Sequence, residues 1–343
     1  MKCSPNIIIT NGRHAYVMMR SLAQKGLKVW LADTYKPGIA RSKYCAGFFL
    51  TPDPYENELE YVRFLLEKID ELNPSCLLPL FDFLVLSKHK DEFAGRVNLL
   101  VENYQKVVTL EDKALFSEYV ESLGVAQPER YFSSEQIGHY PVVAKLPFGR
   151  SGESVFFPSN QNELETLTKK HQNLLVTEYV EGREYSVDCL RFDGFFMASV
   201  YSSYREGKSL IRQPENNDEL TSVCKKLLDS LSYDGVCGFD FIVGNDGVPY
   251  VIEANPRFTG GLGMDLMNGF DFPYWYYCRS VGQPFSCNEN TAKIKTCSIW
   301  CGHKPKGVFY EDSMINDPIA LAACIKERYS SFLKNTYLCR KCR

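Results

Sequence analysis

The run Val236-Cys-Gly-Phe-Asp240-Phe-Ile-Val243, the turn Asn245-Asp-Gly247 and the run Val248-Pro-Tyr-Val-Ile-Glu253-Ala-Asn255-Pro-Arg257 decide how this chain is read. Both runs are apolar and β-branched, and the Asn-Asp-Gly between them is turn chemistry, so they predict an antiparallel hairpin. Period two puts Glu253 and Asn255 on one face, and hairpin pairing sets Asp240 opposite them. Carboxylates in so apolar a setting need a cation. The set contains no His or Cys, and its hard oxygen donors suit magnesium shared with phosphate rather than zinc. The plain structural alternative is two acids paired with Arg257 in a core.

Upstream, Val143-Ala-Lys145-Leu-Pro-Phe-Gly149-Arg-Ser151-Gly152-Glu-Ser154 reads as a strand with an inward lysine followed by a turn of small residues. Gly149, Ser151, Gly152 and Ser154 let backbone N–H groups close over an anion, and Lys145 adds a point charge. The loop does not follow the Walker pattern, and a plain hairpin turn is its ordinary reading. Next, Thr177-Glu178-Tyr179-Val180-Glu181-Gly182-Arg183-Glu184 leaves one strand, turns at a glycine and enters another. Such a hinge offers a C=O and an N–H to an adenine edge, and a nearby carboxylate can accept from ribose hydroxyls. A solvated charged loop has the same composition.

Nearer the N-terminus the pattern is parallel. Asn6 to Thr10, Leu27 to Asp33, Cys76 to Leu80 and Val97 to Val101 read as strands, with helical spacing over Ala15 to Lys25, Glu56 to Leu72 and Phe83 to Phe93. This βαβαβαβ order implies a parallel sheet with helices on both faces. The first turn, Thr10-Asn11-Gly12-Arg13-His14, has one glycine where a dinucleotide fingerprint needs three. Asn11, Gly12, Arg13 and Asp33 still fall at the carboxyl ends of strands, where open sheets bind ligands; capping the first helix is the alternative role.

Together these pieces resemble the ATP-grasp superfamily, in its carbamoyl-phosphate-synthase-like and D-alanine–D-alanine-ligase-like branch. The order carries the resemblance: Asp112-Lys113 opening a helix, strand lysine Lys145, the small-residue loop, Glu178 to Glu184, Asp240, then Glu253-Ala-Asn255-Pro-Arg257. It implies an α/β and α+β architecture, an ATP-grasp fold preceded by an open parallel-sheet, Rossmann-like pre-ATP-grasp domain. The divisions expected are 1–104 for that domain, 105–180 for the central grasp subdomain with the phosphate loop, and 181–343 for the C-terminal subdomain with the metal site and an extension. The resemblance further implies that Lys113 and Lys145 contact ATP, that Gly149 to Ser154 cover its phosphates, and that Glu178, Tyr179 and Val180 form the adenine hinge with Glu184 on ribose. Asp240, Glu253 and Asn255 are then the ligands of magnesium, two ions in number with manganese an acceptable substitute, and Arg257 faces the reacting acyl phosphate. Gly238 stands near Asp240 where D-alanine–D-alanine ligases have an arginine, so the transition-state cation is sought at Lys208 or Arg212.

The activity implied is an ADP-forming C–N ligation: a substrate carboxylate is activated by ATP as an acyl phosphate, and an amine displaces phosphate to form a peptide-like amide. The substrates expected are small amino-acid-like or carboxylated metabolites, and a homodimer is compatible with the chain. A carboxylase-type ATP-grasp reaction and a non-catalytic ATP-binding regulatory module are the competing readings.

Composition is that of an ordinary soluble globular protein. The 343 residues are 45% hydrophobic and 24% charged, with 39 Lys+Arg against 42 Asp+Glu. So even a balance provides no general field for nucleic acid or an anionic membrane. There is no signal-like start and no 18-residue apolar run, and the 13 cysteines are scattered and odd in number, so a reducing cytoplasm is expected. Cys297, Cys301 and His303, with Cys339 and Cys342, are the remaining soft-ligand clusters; the C-terminal seventy residues match no motif.

Overall fold

The computed structural model describes residues 5–10, 12, 15–149, 154–287, 293–301 and 304–341, with side chains through Ser330. Contacts divide the chain into two units: residues 1–103 with 205–211 and 260–343, and residues 104–204 with 212–259. No helix among the described residues is long and apolar enough to cross a membrane.

The first unit opens with β1 (Asn6–Thr10), α1 (Ala15–Gln24), β2 (Lys28–Asp33), β3 (Cys45–Leu50), α2 (Glu58–Leu72), β4 (Cys76–Pro79), α3 (Phe83–Lys88), α4 (Lys90–Phe93) and β5 (Asn98–Leu99). Its sheet has the order β3-β2-β1-β4-β5, and every pairing is parallel. Ile7, Ile8 and Ile9 are fully buried, as expected of a central strand covered on both faces. On α2, Glu58 and Glu60 complement the positive helix start, and Asn73 stops the helix with a left-handed φ of 45°. Tyr61, Leu65 and Ile69 of α2 pack on Ile8 and Leu77.

The parallel sheet agrees with the sequence, which nevertheless concealed β3. Its central Gly47 argues against a strand, yet an added Cβ there would lie 2.1 Å from the Trp30 ring. The missing side chain therefore makes room for an indole on the neighbouring strand.

The second unit contains α5 (Tyr104–Glu111), α6 (Lys113–Ser122), β6 (Arg130–Tyr131), β7 (Val142–Lys145), β8 (Val155–Phe156), α7 (Gln161–Lys170), β9 (Leu175–Glu178), β10 (Gly182–Phe192), β11 (Phe195–Glu206), β12 (Ser209–Glu215), α8 (Asp218–Ser230), β13 (Gly235–Gly244) and β14 (Pro249–Asn255). A small antiparallel sheet has the order β6-β9-β7-β8, and a larger, seven-stranded one runs β14-β13-β10-β11-β12 and then two short strands from later in the chain, residues 205–211 of β11 and β12 counting with the first unit. Between β10 and β11 the turn residues Asp193 and Gly194 both have positive φ, 48° and 78°, which suits the right-handed twist of a hairpin. Periodicity does not mark β12 as a strand, because Arg212, Gln213, Pro214 and Glu215 carry no apolar alternation.

The chain then supplies α9 (Leu262–Met267), α10 (Phe272–Ser280), β15 (Thr296–Cys297), β16 (Phe309–Tyr310) and α11 (Pro318–Lys341). Residues 260–343 cluster with the first unit. Polar anchors explain the placement: Ser21 Oγ donates to both Asp271 oxygens at 2.8 Å, Arg20 Nη1 to Ser313 O at 3.0 Å, and Gly38 N to Glu327 Oε2 at 2.7 Å.

Candidate active site

The predicted hairpin forms in the predicted register. Asp240 pairs with Glu253 and Gly238 with Asn255, with an irregularity after Asp240. On the other side of β13, Ser186 pairs with Asp240 and Asp188 with Gly238. Directly opposed residues share a sheet face, so Glu184, Ser186, Asp188, Asp240, Glu253 and Asn255 form one polar surface. Ser186 Oγ donates to Asp240 Oδ1 at 2.7 Å, and Asn255 Nδ2 reaches Asp240 Oδ2 at 3.3 Å. Arg257 Nη2 donates to Asn255 Oδ1 at 2.7 Å, which fixes the orientation of that amide.

Two buried lysines meet this surface. Asp112 caps α6 by accepting from the backbone N–H groups of Ala114 and Leu115. Lys113 is therefore a cation in a first helical turn, against the helix dipole, and is only 4% exposed. Glu253 Oε1 at 3.6 Å and Gly149 O at 3.3 Å are its partners. Lys145 ends β7, is 7% exposed and donates from Nζ to Ile252 O at 3.0 Å. Burial lowers its pKa and the neighbouring Lys113 charge lowers it further, while Glu253 and Asp240 oppose the shift.

Asp240 is perturbed the other way. Burial first, and then repulsion from Glu253, pushes the Asp240 carboxyl up to about 6; the Ser186 hydrogen bond and Arg257 pull it down. An acid pair that still repels after these contributions, presenting only oxygen donors, fits a hard divalent cation. Among the described residues no group of three His, Cys, Asp or Glu is placed to hold a metal, so this set relies on the Asn255 amide as its third member. His303 and Cys342, of the soft clusters, lie outside the described residues, as does the side chain of Cys339.

Of the phosphate loop, Gly149 and Ser154 are described, whereas Ser151 and Gly152 lie outside the described residues. An added Cβ on Gly149 would lie 2.2 Å from Ser154 Oγ, so glycine is needed for this approach. Asn11 and Arg13 also lie outside the described residues. At the hinge, Glu178 ends β9 and its N–H donates to Glu129 O at 2.8 Å. The exposed Tyr179 ring meets Phe157 edge-on at 6.1 Å, Val180 is half-buried and Glu184 is exposed on β10. Lys208 is exposed in the turn before β12 and belongs to the first unit; Arg212 is half-buried within β12.

Gly182 starts β10 beside β13, and a Cβ there would lie 2.2 Å from Val243 O, a backbone atom unable to move aside. Gly182→Ala is accordingly expected to destabilise the protein by about 1–3 kcal/mol. An unchanged thermal midpoint would show that the strands part without cost.

Sequence reading missed Ser186, Asp188 and their partners. Asp188 is buried and accepts from Thr259 Oγ1 at 2.8 Å and Tyr201 OH at 3.3 Å. An added Cβ on Gly238 would lie 2.2 Å from Thr259 Cγ2 and 2.7 Å from Asp188 Oδ1, so this glycine permits the contact. Period two counted forward from Glu184 was the available signal.

A family profile described as ATP-grasp in the biosynthetic pathway with Ter operon matches residues 170–299, which include the paired acids. A carbamoyl phosphate synthase large chain of Clostridium acetobutylicum is 24% identical over an alignment covering 61% of this chain and 22% of that protein. A D-alanine–D-alanine ligase of Fusobacterium nucleatum is 25% identical over 42% of this chain and 55% of that protein. The chain is an ATP-grasp superfamily protein, distantly related to both. It spans only about a fifth and about half of the lengths of these two relatives. The same fold is found in the biotin carboxylase domain of Hydrogenobacter thermophilus 2-oxoglutarate carboxylase, a dimer solved with MgADP, ADP and bicarbonate. It has a TM-score of 0.68 at 17% identity, covering 86% of this chain and 73% of that one. An L-amino acid ligase of Bacillus licheniformis gives a TM-score of 0.64 at 17% identity, covering 82% and 75%.

Proposed function

We propose that the protein is an ADP-forming carboxylate–amine ligase acting on small amino-acid-like or carboxylated metabolites. The observation that carries the reading is the convergence of Lys113 and Lys145 on the Asp240–Glu253 pair within one unit. Buried cations beside excess carboxylate are costly for a structural core and useful for holding a triphosphate. The kinship with a D-alanine–D-alanine ligase supports amide formation over carboxylation.

In this mechanism Lys113 and Lys145 bind phosphate oxygens of ATP. The Glu178 N–H is already engaged with Glu129, so the adenine-facing donor comes from Tyr179 or Val180. Glu184 accepts from ribose. Asp240, Glu253 and Asn255 hold magnesium, whose contribution is to neutralise phosphate charge. Arg257, oriented through Asn255, stands beside the substrate carboxylate. A carboxylate oxygen attacks the γ-phosphorus, the bond to ADP breaks, and the amine nitrogen then displaces phosphate from the acyl carbon and loses its proton. Positioning and charge supply the rate, so no nucleophilic side chain is required. Arg212, in the same unit as the paired acids, is assigned to the developing charge of the transferred phosphoryl group.

The test is ADP release from ATP and magnesium across pools of amino acids, with hydroxylamine as an acyl-phosphate trap and mass detection of product. Amine-dependent ADP together with a condensed product supports the ligase. Bicarbonate-dependent ADP without an amine points to a carboxylase, and bound ATP with no stimulated turnover points to a binding module. Lys145→Ala is expected to weaken ATP binding about tenfold, the scale of one charge-assisted contact. Unchanged affinity by calorimetry would leave Lys145 a strand residue only.

A further inference from the structure

Cys297 and Cys301 lie in the first unit, and their sulfurs are 3.5 Å apart. Cys297 is buried with Ile211 and Val308, whereas Cys301 is partly exposed. Asp312 organises the turn between them, accepting from Ser298 Oγ at 2.7 Å and from Ile299 N at 2.6 Å. Cys301 N closes the turn onto Ser298 O at 3.1 Å. The pair therefore combines an accessible sulfur, a second sulfur behind it in van der Waals contact, and a turn that holds the two at that spacing. Cys189, Cys224 and Cys237 are all buried, and burial suppresses their thiolates.

We propose that Cys297 and Cys301 are a peroxide-sensitive dithiol that closes reversibly to an intrachain disulfide. The Cys301 thiolate attacks one oxygen of hydrogen peroxide, breaking the O–O bond to give a sulfenic acid and hydroxide. Cys297 sulfur then attacks the Cys301 sulfur, the S–O bond breaks, and the thiol proton leaves with the departing hydroxide as water. Two thiols and one peroxide become one disulfide and two waters, and a dithiol reductant restores the pair. Burial, Cys301 and the nearby acids Glu311 and Asp312 hold the Cys297 thiol up at about 12, which suits a resolving rather than a sensing cysteine. The bridge fixes the turn that carries Trp300, which receives Arg328 of α11 over its ring at 4.6 Å.

The experiment exposes the full-length protein to hydrogen peroxide, quenches it with a maleimide under denaturing conditions and maps the tryptic fragments. The fragment 296–306 carries both cysteines and no other. The expected result is this fragment lighter by two hydrogens and refractory to the maleimide until reduced. Formation should be at least ~10-fold faster in folded protein than in urea, because the fold holds the sulfurs together. Cys297→Ala is expected to raise dimedone labelling of Cys301 severalfold, since the sulfenic acid then has no resolving partner. Both thiols remaining alkylatable, a bridge from Cys301 to another fragment, equal rates in urea, or unchanged dimedone labelling in the variant overturns the proposal. The wild-type measurements decide the matter even if that variant fails to fold.

Discussion

Glu253→Gln is expected to cut ADP release by roughly 10²–10³-fold while the fold survives. The glutamine preserves shape and one carbonyl oxygen but removes the negative charge shared by Lys113 at 3.6 Å and by the cation site with Asp240. Only one carboxylate then remains to hold a divalent ion. Glu253 is half-buried, and Lys113, which loses its carboxylate countercharge, keeps the Gly149 carbonyl and can still meet the glutamine oxygen, so the fold is weakened but survives. A thermal midpoint only modestly below wild type, measured beside single-turnover ADP formation, separates lost chemistry from lost structure. Affinity for ATP without magnesium is expected to hold or tighten, because Lys113 and Lys145 face less competing negative charge. Near-normal turnover in this variant would refute the metal assignment.

What could be read in advance follows from how local each signal is. The hairpin was legible because its turn and both strands lie within one short segment, where Gly247 adopts the positive φ of 82° that the turn requires. Register then placed Asp240 against Glu253 without further information. Asp188 was illegible because its importance comes from Thr259 and Gly238, which reach it only through strand pairing across the sheet. The contacts of residues 260–343 are equally hidden from the sequence. Asp271, Ser313 and Glu327 find their partners at Ser21, Arg20 and Gly38, about 250 to 290 positions away, and no periodicity announces such pairs. Lys113 is intermediate, since a lysine directly after an N-cap aspartate goes against the helix dipole and is visible as an anomaly before its partner is known.

Asp240→Asn is expected to abolish ADP formation, by roughly 100-fold or more, and yet to stabilise the ligand-free protein. The hydrogen bonds permit the exchange. Arg257 holds Asn255 with its Nδ2 toward position 240, so the new amide turns its carbonyl to that donor. Its NH2 then faces Ser186 Oγ, which rotates from donor to acceptor at the same contact. The electrostatic gain follows from the raised carboxyl, about 6 in the folded chain against 3.8 for the unperturbed group. Between these values the native state binds more protons than the unfolded state, so wild-type stability falls as pH rises from about 4 to about 6 and stays lower above. The shift is worth up to about 3 kcal/mol. An amide does not titrate, so the variant and wild type should melt together below the lower value and separate through the interval, with the variant several degrees higher at pH 8. Magnesium with ATP should reverse the order by stabilising only the wild type, since a bound cation removes the repulsion that raised the carboxyl. Melting curves at several pH values, with and without MgATP, read both effects. A variant that melts lower at every pH would mean that Asp240 contributes to the core as an anion rather than being held ready for a cation.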